Sequence, residues 1–64
     1  MTDIKEAARY IKNTNGGATK GDFVEDFEPV GEMLWGDLMN NGCAYIDESG
    51  RLRLTETGAA FVNA

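Results

Sequence analysis

Carboxylates are the commonest reactive side chains in this chain, and they are unevenly spread. Between Gly21 and Gly50 lie Asp22, Glu25, Asp26, Glu28, Glu32, Asp37, Asp47 and Glu48, with no Lys or Arg among them. The flanks hold Lys5, Arg9, Lys12, Lys20, Arg51 and Arg53 against Asp3, Glu6 and Glu56. The middle thus carries −8 and the flanks +3, for a formal net charge of −5. A charge distribution this polarised selects partners by sign.

Carboxylates also serve as acid–base pairs when two face each other. Glu25 and Asp26 do not qualify, because successive residues diverge by about 100° on a helix. The chain has no histidine, and Cys43 is its one cysteine. Without an activating base, Cys43 reads as a small buried filler rather than a nucleophile. It can form no intrachain disulfide, and no zinc ligand set is present. Gly16-Gly17 is an ordinary turn without a phosphate-binding fingerprint. The expectation is a non-enzymatic protein with no cofactor and no metal.

Two readings of the acidic stretch follow. The plainer is a solvated face. The sharper is a docking face in which Glu25, Glu28, Glu32, Met33 and Asp37 receive a basic protein surface. A module of that kind would regulate or inhibit a nucleic-acid-processing machine, or sit inside one; backbone mimicry is its strongest form. The alternative partner is DNA, met chiefly by Lys20, Arg51 and Arg53. For the two arginines, cross-strand ion pairing with Asp47 and Glu48 is the plainer account. Lys5, Arg9 and Lys12 share a helical stripe. They read as solvated cations paired with Glu6 or Asp3, or as contacts to phosphates or to a second copy.

These residues need elements to hold them. Ile4, Ala7, Ala8 and Ile11 recur at helical spacing, predicting an amphipathic helix over 3–14 that Asn13–Gly17 ends. Thr19 with Asp22 three residues on predicts a capped second helix, with Ala18 and Phe23 in staple positions. Glu28-Pro29 breaks it. A third helix is expected from about Val30 to Asn41, with Leu34, Trp35 and Leu38 inward and Met39 at their border. Its outward positions are Glu32, Met33, Gly36, Asp37 and Asn40. Gly31 and Gly36 weaken this helix and suggest close approach to another element or a partner.

The period then changes to two. Ala44–Asp47 and Arg51–Leu54 read as a hairpin around Glu48-Ser49-Gly50, with Gly50 placed for positive φ. Thr55–Gly58 opens a last short helix. Sixty-four residues make one domain, 1–64, too small for both a core and a deep cleft. No stretch approaches the roughly 20 apolar residues of a membrane span. The N-terminus, with Asp3, lacks a signal-peptide core, so a cytoplasmic protein is expected. Homodimerisation through 1–14 or 56–64 is left open.

The segment Leu38–Gly58 carries a pattern, Leu38-x-x-x-Gly42, then a hairpin, then Leu54-Thr55-x-x-Gly58. It resembles the signature of small bacterial and archaeal winged-helix proteins such as the multiple-antibiotic-resistance regulators. The resemblance implies a mainly α fold with a small β-hairpin: three helices, a wing and a short fourth helix, forming a winged helix-turn-helix. In that family the third helix usually enters the DNA major groove. Here its outward positions hold Glu32 and Asp37, which would repel phosphate.

Overall fold

The structure, a computed structural model, describes residues 3–64. Met1 and Thr2, the start of the candidate dimerisation stretch 1–14, lie outside the described residues. The first helix, α1 (Ile4–Thr14), begins where the Asp3 carboxylate accepts the Glu6 N–H at 2.9 Å. Its apolar stripe buries Ala7, Ala8 and Ile11, with Ile4 partly covered, as the spacing predicts. It stops at Asn15, whose φ of 46° is left-handed. Asn tolerates that region better than most residues.

The second helix, α2 (Lys20–Asp26), opens with the predicted reciprocal cap. The Asp22 N–H donates to Thr19 Oγ1 at 3.2 Å, and the Thr19 N–H donates to Asp22 Oδ2 at 3.1 Å. Ala18 and Phe23, the two staple positions, are both buried. Phe23 lies at the centre of an aromatic cluster, edge-on to Tyr10 at 5.7 Å and to Trp35 at 5.9 Å between ring centroids. Such pairs add about 0.5–1.5 kcal/mol beyond area burial.

The third helix, α3 (Gly31–Asn40), is one residue shorter at each end than expected. It buries Leu34, Trp35 and Leu38. Met39, expected at the border of that face, is 48% exposed, beyond the arc that Trp35 fills. Of the two glycines, Gly31 has a close neighbour within the chain: a Cβ there would stand 2.6 Å from Val24 Cα. Backbone contact at this point sets how closely α2 and α3 cross. Around Gly36 nothing lies within 4 Å of a Cβ position.

Strands β1 (Ala44–Ile46) and β2 (Leu52–Leu54) pair antiparallel, Tyr45 opposite Arg53. Both are one residue shorter than the expected runs, although the Asp47 N–H still donates to the Arg51 carbonyl at 2.9 Å. Gly50 takes the predicted positive φ, 80°. Period-two burial holds for Ala44 and Leu52, but Ile46 joins Tyr45 in being exposed. The other edge of β2 is occupied. Thr19 bridges Arg51, and the Leu52 N–H donates to the Ala18 carbonyl at 2.8 Å.

The last helix, α4 (Glu56–Asn63), is fastened by Thr55. Its Oγ1 accepts the Gly58 N–H at 3.1 Å and donates to the Gly42 carbonyl at 2.5 Å. Gly58 lies against the Cys43 carbonyl so closely that any Cβ would overlap it. That contact accounts for the glycine of the Leu-Thr-x-x-Gly pattern. Phe23, Ile11, Leu38 and Leu52 are the largest fully buried side chains, one from each of α1, α2, α3 and the hairpin. The protein is therefore mainly helical, with one two-stranded hairpin packed on its helices. No described helix is long and apolar enough to cross a membrane.

Candidate functional site

The α2–α3 crossing at Gly31 leaves a shallow concavity of about 540 Å³ on the outer side of the two helices, lined by Lys20, Gly21, Val24, Glu25, Glu28 and Glu32. Three of the five acidic-face candidates, Glu25, Glu28 and Glu32, therefore do converge. All three are exposed. The remaining two, Met33 and Asp37, lie outside the concavity on the outer face of α3, both exposed. Glu32 belongs to both groups and joins them. Val24, the apolar part of the lining, was not foreseen, because its place next to Phe23 reads as core.

One cation enters this acidic surface. Lys20 Nζ stands 3.5 Å from Glu32 Oε2, with the two side chains 43% and 71% exposed. A pair so exposed contributes about 0–1 kcal/mol. Lys20, a candidate for DNA contact, is thus drawn into the acidic face. The other two DNA candidates are also engaged. Arg51 donates to the Gly17 carbonyl at 3.2 Å, and Arg53 Nε donates to Asp47 Oδ2 at 3.1 Å. The Arg53 pair is the cross-hairpin partner the sequence suggests. Arg53 also lies against Gly16, where a Cβ would meet its guanidinium carbon at 2.6 Å.

Asp47 is the organiser of the loop between the strands. Its Oδ1 accepts the Ser49 N–H at 2.8 Å and the Arg51 N–H at 3.0 Å. The Arg51 N–H, partly opposed by desolvation and reinforced by Arg53 and Ser49, holds its carboxyl below the ordinary value. These donors favour the charged form.

The basic stripe of α1 is placed differently from expectation. Among the described residues, Lys5 and Lys12 make no ion pair with Asp3 or Glu6. Lys5 Nζ donates to the Ala64 carbonyl at 2.6 Å and Lys12 Nζ to Asn63 Oδ1 at 3.3 Å. The cause is the packing of α4 along α1, which brings carbonyls at the end of α4 beside these cations. Cations are favoured at a helix C-terminus. Asp26 is turned away from the acidic face. It accepts the Tyr10 hydroxyl at 2.6 Å, and that bond, with burial behind it, pushes the phenol up to about 12. Glu25 and Asp26 serve different surroundings, as their sequence adjacency predicts.

Comparison with protein-family models, curated proteins and solved structures finds no match. Among the described residues no three His, Cys, Asp or Glu side chains converge to hold a metal ion. Cys43 is buried, as a filler would be. What the α2–α3 surface offers is an open set of carboxylates with one exposed lysine among them and a methionine-bearing helix face beside it.

Proposed function

We propose that this chain is a winged helix-turn-helix module, and that it docks a basic protein surface through the outer face of α2 and α3. The fold reading is supported by element order and by the Ala18–Thr19 segment, which extends the hairpin on the edge of β2. The docking reading rests on one observation above the others. Glu25, Glu28 and Glu32 surround an open concavity that holds a single cation, Lys20. The cations that DNA binding would use, Lys20, Arg51 and Arg53, each already have an intramolecular partner. Binding DNA with them would break those contacts while leaving the carboxylates near phosphate. A module of this type suits a regulator or inhibitor of a nucleic-acid-processing machine, whose own nucleic-acid site is basic.

Two titrations test the reading. Against random duplex DNA at low salt, no saturable binding is expected. Tight binding that falls steeply as salt rises would refute it, because such a slope counts released counterions. Against an arginine-rich peptide, binding is expected, and Glu25→Lys/Glu32→Lys should abolish it. Unchanged peptide affinity in that variant would also refute the docking face.

A further inference from the structure

Gly36 lies in the middle of α3, where glycine weakens a helix relative to alanine. Nothing among the described residues requires it. Its φ is not among the positive values, which belong to Gly16, Gly42 and Gly50. Apart from its chain neighbours and its own helix backbone, no atom of the described residues lies within 4 Å of where its Cβ would be. Gly31 and Gly58, by contrast, are each forced by backbone of another segment. On a helix, residues three and four apart are neighbours. Gly36 is therefore bordered by Glu32 and Met33 one turn before, and by Met39 and Asn40 one turn after. Met33 is 59% exposed and Met39 48% exposed, the two most exposed large apolar side chains among the described residues. The outer face of α3 thus has a half-buried stretch of backbone without a side chain, set between two exposed thioethers. Methionine adapts its shape to an apolar partner at little cost in strain.

The rim sets the sign of what fits. Glu32 flanks the patch on one side, and Asp37, next to Gly36 in sequence, has no ion pair among the described residues. A second copy docking by the same face would bring the same acids against them, and like charges facing each other oppose association; Lys5 and Lys12 of its α1 stripe already donate to the end of their own α4. A partner carrying Lys or Arg beside an apolar side chain satisfies both the patch and its rim. We infer that the outer face of α3 seats an apolar side chain of a basic protein partner against the half-buried backbone at Gly36, between Met33 and Met39, with flanking Lys or Arg on Glu32 and Asp37. This rests on the docking reading above and names what the partner must present.

The probe is a displayed library of random peptides, selected against the wild-type protein. The recovered peptides are expected to carry a large apolar residue with Lys or Arg within one helical turn of it. Gly36→Leu fills the patch, and its Cβ meets no other described element within 4 Å. It should melt no lower than wild type and bind those peptides about tenfold or more weakly. Met33→Gln/Met39→Gln, on exposed positions, should weaken them too. Peptides rich in Lys and Arg with no apolar requirement, bound equally by Gly36→Leu, would overturn this inference and leave the acidic docking face standing. Recovery of no basic peptides would overturn both. Sedimentation showing a wild-type dimer that Gly36→Leu dissociates would overturn the basic partner in favour of a second copy.

Discussion

The same substitution at two helical glycines should move stability in opposite directions. At Gly36 an added Cβ meets nothing within 4 Å. Alanine there removes backbone freedom from the unfolded chain and adds no clash. The gain is about 0.5–1 kcal/mol. For a domain of this size each kcal/mol moves the melting temperature by roughly 4–8 °C, so Gly36→Ala should raise it by about 2–8 °C. At Gly58 the new Cβ would overlap the Cys43 carbonyl, with the carbonyl carbon at 2.9 Å and Leu54 Cδ2 at 3.0 Å. The obstacle is backbone, so no rotamer change relieves it, and α4 would have to lift off the hairpin. Overpacking costs about 1–3 kcal/mol, and the helix-propensity gain offsets at most about 1. Because the overlap is deep and with backbone, the upper end of that cost applies, and a net loss of about 2 kcal/mol with a melting temperature lower by roughly 8–16 °C follows. Thermal unfolding followed by circular dichroism, with urea unfolding followed by Trp35 fluorescence, reads both. Gly58→Ala as stable as wild type would show that α4 does not depend on that close approach. A destabilised Gly36→Ala would show that α3 has a neighbour on its outer face within the free protein. Either result would break the reasoning.

Three further outcomes are expected. Thr19→Ala removes one half of the α2 cap and should cost about 0.5–2 kcal/mol in urea unfolding, whereas Thr19→Ser should retain most of the stability. The Tyr10 phenol is raised from its ordinary value of 10.0 to about 12. Its contribution to stability is therefore whole below pH 10 and lost as pH climbs through about 12; a tyrosinate absorbance titration should follow its late ionisation, and Asp26→Asn should return it toward 10.0. The Asp47 carboxyl is held below its ordinary value of 3.8, so its contribution is present above that value and disappears as pH falls through the lowered one. Amide chemical shifts of Ser49 and Arg51 should report the loss, and in Asp47→Ala that acid transition should be missing while the helices stay folded.

The helices were legible because local rules and burial agree. The α1 stripe, the Thr19–Asp22 cap and the inward Leu34-Trp35-Leu38 set follow from spacing alone, and the hairpin follows from a change of period and a placed glycine. What spacing does not carry is the meeting of distant backbone. Nothing local to Val24 or Gly31 says that they touch, and nothing local to Ala18 says that it pairs with Leu52. The acidic face was legible as a run of charge, but only the α2–α3 crossing separates Glu25, Glu28 and Glu32 from Met33 and Asp37. Lys20, Arg51 and Arg53 stand out in the sequence by charge and by their place at a helix start and on one side of a strand, but their partners, Glu32, the Gly17 carbonyl and Asp47, depend on folded geometry. Lys5 and Lys12 turned to the end of α4 for the same reason.

The ladder between Leu52 and Ala18 bears on how the domain opens. The Leu52 N–H donates to a carbonyl 34 positions earlier in the chain, across the boundary between the helical part and the hairpin. A hairpin that formed alone would leave this amide open to solvent exchange. Its protection needs the α1–α2 connector in place, and through Thr19 it adjoins the cap that starts α2. The hairpin therefore does not form a separate cooperative unit that can exchange its hydrogens while the helices remain closed. The slowest-exchanging hairpin amide and the slowest-exchanging core helix amides should share one opening free energy, so that a single backbone hydrogen at Leu52 reports the unfolding of the whole chain.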